Sequence, residues 1–271
     1  MRVAVVHECV HVVCFEQPGL GAVGPVETGW AWFAEGTAEW VALMRCRKIS
    51  PRSVQTFEFL GDWCAFPEIS IAHTVRENES SWYRAAVFVD YLVRRKKGDA
   101  NWIGGLWRGA TMQLGDDQDV WPKIQKLFTV DIFAEFSCDA YFLNDPANVF
   151  HSPDIYQRFG QRAWEHGYDG GTGGWIAGEV HDFACLYYGV RPRAGAASVN
   201  VEFQSGDDRV VAWLLGSDAS HREVGTRISL AAGTTAIQLA AYPRLDHLVL
   251  VVATRPESSV SARRSYAFNI T

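Results

Sequence analysis

His7-Glu8-Cys9-Val10-His11 is the stretch whose reading decides the first part of this chain. Apolar residues surround it (Val5, Val6, Val10, Val12, Val13), and residues 2–17 read as one helix ended by Pro18-Gly19. Two histidines four apart on a helix project from the same face, one turn above the other. Their imidazoles can therefore meet a single cation. Glu8 points to the side of that face, where it can reach a water on the cation but not easily serve as a further ligand. An H-E-x-x-H helix is thus a mechanical unit of two zinc ligands and a general base.

A catalytic zinc needs three protein ligands and an open fourth position. Residues 30–41 read Trp-Ala-Trp-Phe-Ala-Glu-Gly-Thr-Ala-Glu-Trp-Val, and a second helix is expected over 29–46 with Thr28 as its N-cap. Glu35 and Glu39 are again four apart and share a face. Between His11 and Glu35 lie Pro18, Gly19, Gly21, Gly24, Pro25 and Gly29, a loop by composition that lets the two helices run back against each other. Both helices carry enough apolar and aromatic side chains to be buried. Histidines and carboxylates on such helices would be stranded in a core unless they bind something.

His7-Glu8-x-x-His11, a loop, and then Trp32-Phe33-Ala34-Glu35-Gly36-Thr37-Ala38-Glu39-Trp40 resembles the gluzincin zinc metallopeptidases, the group that includes thermolysin and the aminopeptidases related to leukotriene hydrolase. The resemblance implies that Glu35 is the third zinc ligand and that Glu39 hydrogen-bonds His7. A carboxylate behind a ligating histidine fixes its tautomer and orientation. It also implies zinc-dependent hydrolysis of peptide bonds in a protein or peptide substrate, with Glu8 taking the proton of a metal-activated water. By position in the family's following helix, Tyr83 becomes the oxyanion donor, with His73 as second choice. The Lys-Gly usual after that tyrosine is replaced here by Ala85-Ala86. The β-sheet lobe that usually precedes the motif helix in this family has no counterpart in the sequence, which reads as a late start or a minimal version.

Further helices are expected over 80–97, where Ser80 caps the start and Arg94-Arg95-Lys96-Lys97 complements the helix dipole, and over 101–109, 117–128 and 131–144. Residues 47–79 read mostly as loop. The glycine-rich stretch 167–179 reads as a linker, and from about 180 onward strand signals dominate, separated by turn residues at the spacing of a β-sandwich. The expected fold class is α+β. A mainly α-helical, zincin-like catalytic domain over 1–166 is followed by an all-β, sandwich-like domain over 180–271.

The 271 residues are 48% hydrophobic and 21% charged, enough for a sizeable core. A net charge of −6 gives no basic footprint for nucleic acid, and no apolar run reaches the length of a membrane span. The six cysteines (Cys9, Cys14, Cys46, Cys64, Cys138, Cys185) form no C-x-x-C pair, which argues against a zinc knuckle and leaves disulfides open. Cys14 falls on the metal-facing stripe and reads as core filler or an accessory ligand. Asn78-Glu79-Ser80 and Asn269-Ile270-Thr271 match the glycosylation sequon and favour secretion, although no signal peptide precedes the motif. Two other functions fit the residues. One is a non-catalytic metal-binding relative. The other is an adhesin or binding module that engages a glycan or protein through the β-sandwich.

Overall fold

The computed structural model describes residues 2–15, 31–49, 63–64, 66–72, 84–111, 119–128, 131–143, 145–149, 166–169, 174–258 and 262–271. Thr28, His73 and Tyr83 lie outside these residues, as does the Cys14 side chain. The chain falls into two compact units. The first comprises Met1–Trp63, Ile69–Ile132 and Pro256–Ser261; the second comprises Cys64–Glu68, Phe133–Arg255 and Ala262–Thr271.

The first unit contains α1 (Arg2–Phe15), α2 (Ala31–Ile49), α3 (Ala85–Arg95), α4 (Asn101–Thr111) and α5 (Trp121–Lys126). Helix α2 packs against both α1 and α3. Its N-terminal half is apolar nearly all round, the pattern of a helix enclosed by neighbours, and Ala31 to Ala34 and Gly36 to Glu39 are buried. Phe33 stacks on Trp107 at 5.9 Å between ring centroids, and Phe88 packs on Trp121 at 6.1 Å. Asp90 of α3 ties this core to α2 by accepting the Trp40 indole N–H at 3.0 Å and Arg94 Nε at 2.6 Å. Helix α3 stops where Lys97 and Gly98 turn left-handed, and the Gly98 N–H closes back on the Val93 carbonyl.

The second unit contains α6 (Ile132–Tyr141) from its second residue on, with β1 (His166–Asp169), β2 (Ile176–His181), β3 (Cys185–Arg191), β4 (Ser198–Ser205), β5 (Val210–Ser217), β6 (Glu223–Leu230), β7 (Gly233–Gln238), β8 (His247–Thr254) and β9 (Arg263–Ile270). Five strands form one sheet in the order β1-β3-β8-β5-β6, and four form the other in the order β2-β9-β4-β7. Only β1 and β3 pair in parallel among the described strands. The inner faces meet through Val201, Phe203 and Phe268 of one sheet and Leu214, Leu250 and Val252 of the other. All eight residues of β8 are buried. Its even-numbered residues enter the sandwich, and the odd-numbered ones face the side where α6 lies. This explains the unbroken apolar run Leu248–Val252, because a strand covered on both faces needs no alternation.

Helix α6 is fastened to the five-stranded sheet by named contacts. Tyr141 packs on Tyr187 at 5.2 Å, and the Tyr187 hydroxyl donates to the Ser137 carbonyl at 2.6 Å. Arg227 of β6 donates to Asp139 at 2.6 Å and to both oxygens of Glu223. Phe183, fully buried, holds a left-handed backbone (φ 58) at the β2–β3 turn, where its ring meets Phe133 at 5.5 Å. A bulky residue takes that conformation only when packing over-determines it.

The expected architecture of a mainly helical, zincin-like domain followed by an all-β domain is therefore corrected. The helical unit is small, and the strand-bearing unit includes α6, so it is not all-β. The helical periodicity of 131–144 is real, but a period says only which side chains share a face. Phe133 and Tyr141 find their partners on β-structure. The glycine-rich stretch around 167–179 likewise carries β1 and the start of β2. Gly178 sits opposite Tyr266, and a Cβ there would come within 2.6 Å of the Tyr266 hydroxyl. The glycine makes room for a tyrosine that hydrogen-bonds Tyr188 of the other sheet. We expect Gly178→Val to displace that ring and lower stability by about 1–3 kcal/mol, read as a lower thermal unfolding midpoint, with Gly105→Val, where the added Cβ meets open space, as the control for a neutral glycine site.

Candidate metal centre

Helix periodicity places His7 and His11 on the face of α1 that meets α2, and Glu35 and Glu39 on the facing side of α2. Gly36, next to Glu35, lets α2 and α3 approach closely: a Cβ there would lie 2.7 Å from the Ala85 Cβ and 2.9 Å from its carbonyl carbon. His7 and Glu39 are buried, with 5% and 4% of their surface exposed. The side chains of His11 and Glu35 are 12% and 18% exposed, so the cluster opens on their side.

Three donor atoms converge. His7 Nε2 lies 2.9 Å from His11 Nε2 and 3.1 Å from Glu35 Oε2, and His11 Nε2 lies 3.3 Å from the same oxygen. The two imidazoles meet edge to face at 4.6 Å between centroids. Among the described residues this is the group of three whose ligand atoms could hold a metal ion. Tetrahedral zinc with bonds of about 2.0–2.2 Å to nitrogen and oxygen requires ligand atoms about 3.3–3.6 Å apart. The observed triangle is therefore one face of such a tetrahedron, slightly contracted. The donor set fits zinc: two imidazoles and one carboxylate leave a fourth position open, whereas structural zinc sites are closed by four protein ligands.

The fourth member of the group does not join the triangle. Glu39 Oε2 lies 3.2 Å from His7 Nδ1, on the far side of the ring. That contact holds the proton on Nδ1 and turns the Nε2 lone pair toward Glu35 and His11. Without a cation the cluster shares protons instead. Burial opposes charge on His7, but hydrogen bonds to Glu35 and Glu39 and their negative charge outweigh it and raise its pKa to about 9. Burial likewise opposes charge on Glu35, and hydrogen bonds from His11 and His7 overcome it, leaving a pKa of about 2.

The structure thus brings together four of the residues singled out in the sequence: His7, His11, Glu35 and Glu39. Glu8, next to His7 on α1, is exposed. Tyr83 and His73, the two oxyanion candidates, lie outside the described residues. Sequence reasoning missed Asp90, which steadies α2 through Trp40; the i, i+4 spacing of Asp90 and Arg94 was the available signal.

No protein-family model matches this chain, and no curated protein does. Some solved structures match part of it. Salmonella Typhimurium PliG, a periplasmic lysozyme inhibitor of g-type lysozyme, is 10% identical over 40% of this chain and 98% of its own, with a TM-score of 0.24. Aeromonas hydrophila PliG is 15% identical over 36% of this chain and 86% of its own, with a TM-score of 0.27. The Yersinia pseudotuberculosis-derived mitogen is 12% identical over 37% of this chain and 85% of its own, with a TM-score of 0.26. Scores this low assign neither fold nor function. The family reading is corrected on other ground: no family model, a metallopeptidase one included, matches the chain, and the gluzincin assignment is withdrawn. What stands is the local geometry.

Two consequences can be measured. Glu39→Gln keeps all three ligand atoms but weakens the acceptor behind His7; zinc affinity should fall about 10–100-fold in a competition titration with a chelating dye. A metal can bind His7 only after displacing its proton, so zinc affinity should rise about tenfold per pH unit between pH 7 and 9 and level off above the His7 pKa of about 9. Glu35, with a pKa of about 2, is ionised throughout that window.

Proposed function

We propose that this protein binds one zinc ion through His7, His11 and Glu35, and that the centre is hydrolytic. The observation that carries the reading is the three-atom convergence, with a carboxylate behind His7 and an open side. A bound zinc in such a site lowers the pKa of water toward neutrality and polarises a carbonyl oxygen. The chain's own residues do the rest. Glu39 holds the His7 tautomer. Burial of His7 fixes one corner of the triangle, and the partial exposure of Glu35 and His11 admits substrate. Glu8, exposed and next to His7 in the helix, accepts the proton of the attacking water and passes it to the leaving nitrogen of an amide or peptide bond.

A second reading is that the protein acts by binding a protein partner, with the metal centre clamping α1 to α2. The names of the partly similar structures favour this reading, since two of them are described as inhibitors of a lysozyme. Those two are also described as periplasmic, and the sequons at Asn78 and Asn269 fit a place outside the cytoplasm. Among the described residues no helix is long and apolar enough to cross a membrane.

One set of variants separates these readings. Metal analysis should find about one zinc per chain, lost in Glu35→Gln and kept in Glu8→Gln. A quenched-fluorescent peptide library should be cut by the wild type and at least about 100-fold more slowly by Glu8→Gln, the scale of a lost general base. Zinc retained without cleavage by either protein would leave the binding reading standing. Absence of zinc from the wild type would sink both.

A further inference from the structure

Between α1, α2 and α4, within the first unit, lies a cavity of about 460 Å³. It is separate from the metal centre, although it uses the same two helices. Val6 and Val10 precede His7 and His11 by one residue each, and Thr37 sits two residues from both Glu35 and Glu39. At about 100° per residue, Thr37 points away from the face that carries the two glutamates. The volume is within the range of small-molecule sites, about 300–1,000 Å³.

The chemistry of the wall narrows the occupant. Among the described residues its lining includes no acidic or basic side chain: valines of α1 and α2, Ile103 of α4 and tryptophan rings make up most of it. The Trp40 indole N–H is already given to Asp90. Thr37 is 2% exposed, lines the cavity, and its hydroxyl oxygen has no hydrogen-bond partner. A helical threonine ordinarily satisfies itself on the carbonyl one turn back. A buried hydroxyl left unmade is costly, and a ligand that pairs with it recovers that loss. Cys9, an exposed free thiol, also lines the cavity.

We propose that this cavity binds an uncharged, largely apolar small molecule, aromatic or aliphatic, that carries one hydrogen-bonding nitrogen or oxygen for the Thr37 hydroxyl. An ionised head group is disfavoured because no opposite charge among the described lining residues offsets its desolvation.

The test uses the full chain and the neutral fluorophore N-phenyl-1-naphthylamine. Its emission should rise saturably with one site per chain. In peptide mass mapping it should slow alkylation of Cys9 by N-ethylmaleimide at least about threefold, with Cys46, Cys64, Cys138 and Cys185 buried and silent. Ala100→Trp fills the cavity from α4's start and should abolish both effects while leaving the circular dichroism spectrum and zinc content unchanged. Thr37→Val keeps the shape and removes the hydroxyl; it should weaken the amine about tenfold but leave 1-phenylnaphthalene, the hydrocarbon without a polar atom, bound as before. Should Ala100→Trp fail to fold, the Thr37→Val ratio decides. Non-saturable emission, an unprotected Cys9, or equal loss of both ligands in Thr37→Val would overturn the proposal. Zinc loss with ligand binding intact would bear only on the metal centre.

Discussion

The contact between His7 and Glu39 is the constraint on which the helical unit turns. Both side chains are buried, so neither can leave its partner without stranding a polar group in the core. Their bond joins α1 to α2 across a sequence separation of 32 residues. It also sets which nitrogen of His7 faces the opposite way. Once Nε2 is turned from Glu39, the positions of His11 and Glu35 follow from the pitch of their helices, because each lies one turn from a member of that pair. A single hydrogen bond thus fixes helix register, imidazole tautomer and the shape of the donor triangle.

The surroundings of α2 make that bond possible. A helix enclosed by neighbours can carry carboxylates only if each has a partner, and Glu35 and Glu39 meet the condition through the two histidines. Gly36 permits close contact with Ala85, and Asp90 holds Trp40 from α3, so the helix has little room to turn. Thr37 is the polar residue of this stretch that the protein leaves unmatched, and it borders a cavity rather than packed side chains. The strand-bearing unit follows the same logic with different elements. Buried Arg264 is held by both oxygens of Asp182, and buried Asp139 accepts from Arg227, which also donates to Glu223.

The separation of a local motif from a family is the wider lesson of the comparisons. The spacing in His7-x-x-x-His11 and Glu35-x-x-x-Glu39 specifies four side chains on two faces, and the fold brings them together. That much is helix geometry and needs no ancestry. Family membership is a statement about the whole chain, and neither the family models nor the solved structures support it here. Chemistry can therefore be argued from the triangle, while lineage cannot.

Several things were determined by the sequence alone. The i, i+4 pairs fixed which residues would share a face, the loop between them allowed the helices to fold back, and the turn-separated strand signals from about 180 onward marked β-structure there. These are local properties, set by backbone period and steric preference within a few residues. What only the tertiary structure decided was who packs against whom. Helical period could not say that Phe133 and Tyr141 of α6 would lie on β-structure. Glycine content could not say that the segment around Gly178 would be strand, since the reason is a tyrosine 88 positions away in register opposite it. The pKa of His7 near 9 likewise arises from two carboxylates that reach it only when α2 lies across α1. Long-range contacts carry no local signature, because the free energy that selects them is the burial and pairing of groups far apart along the chain.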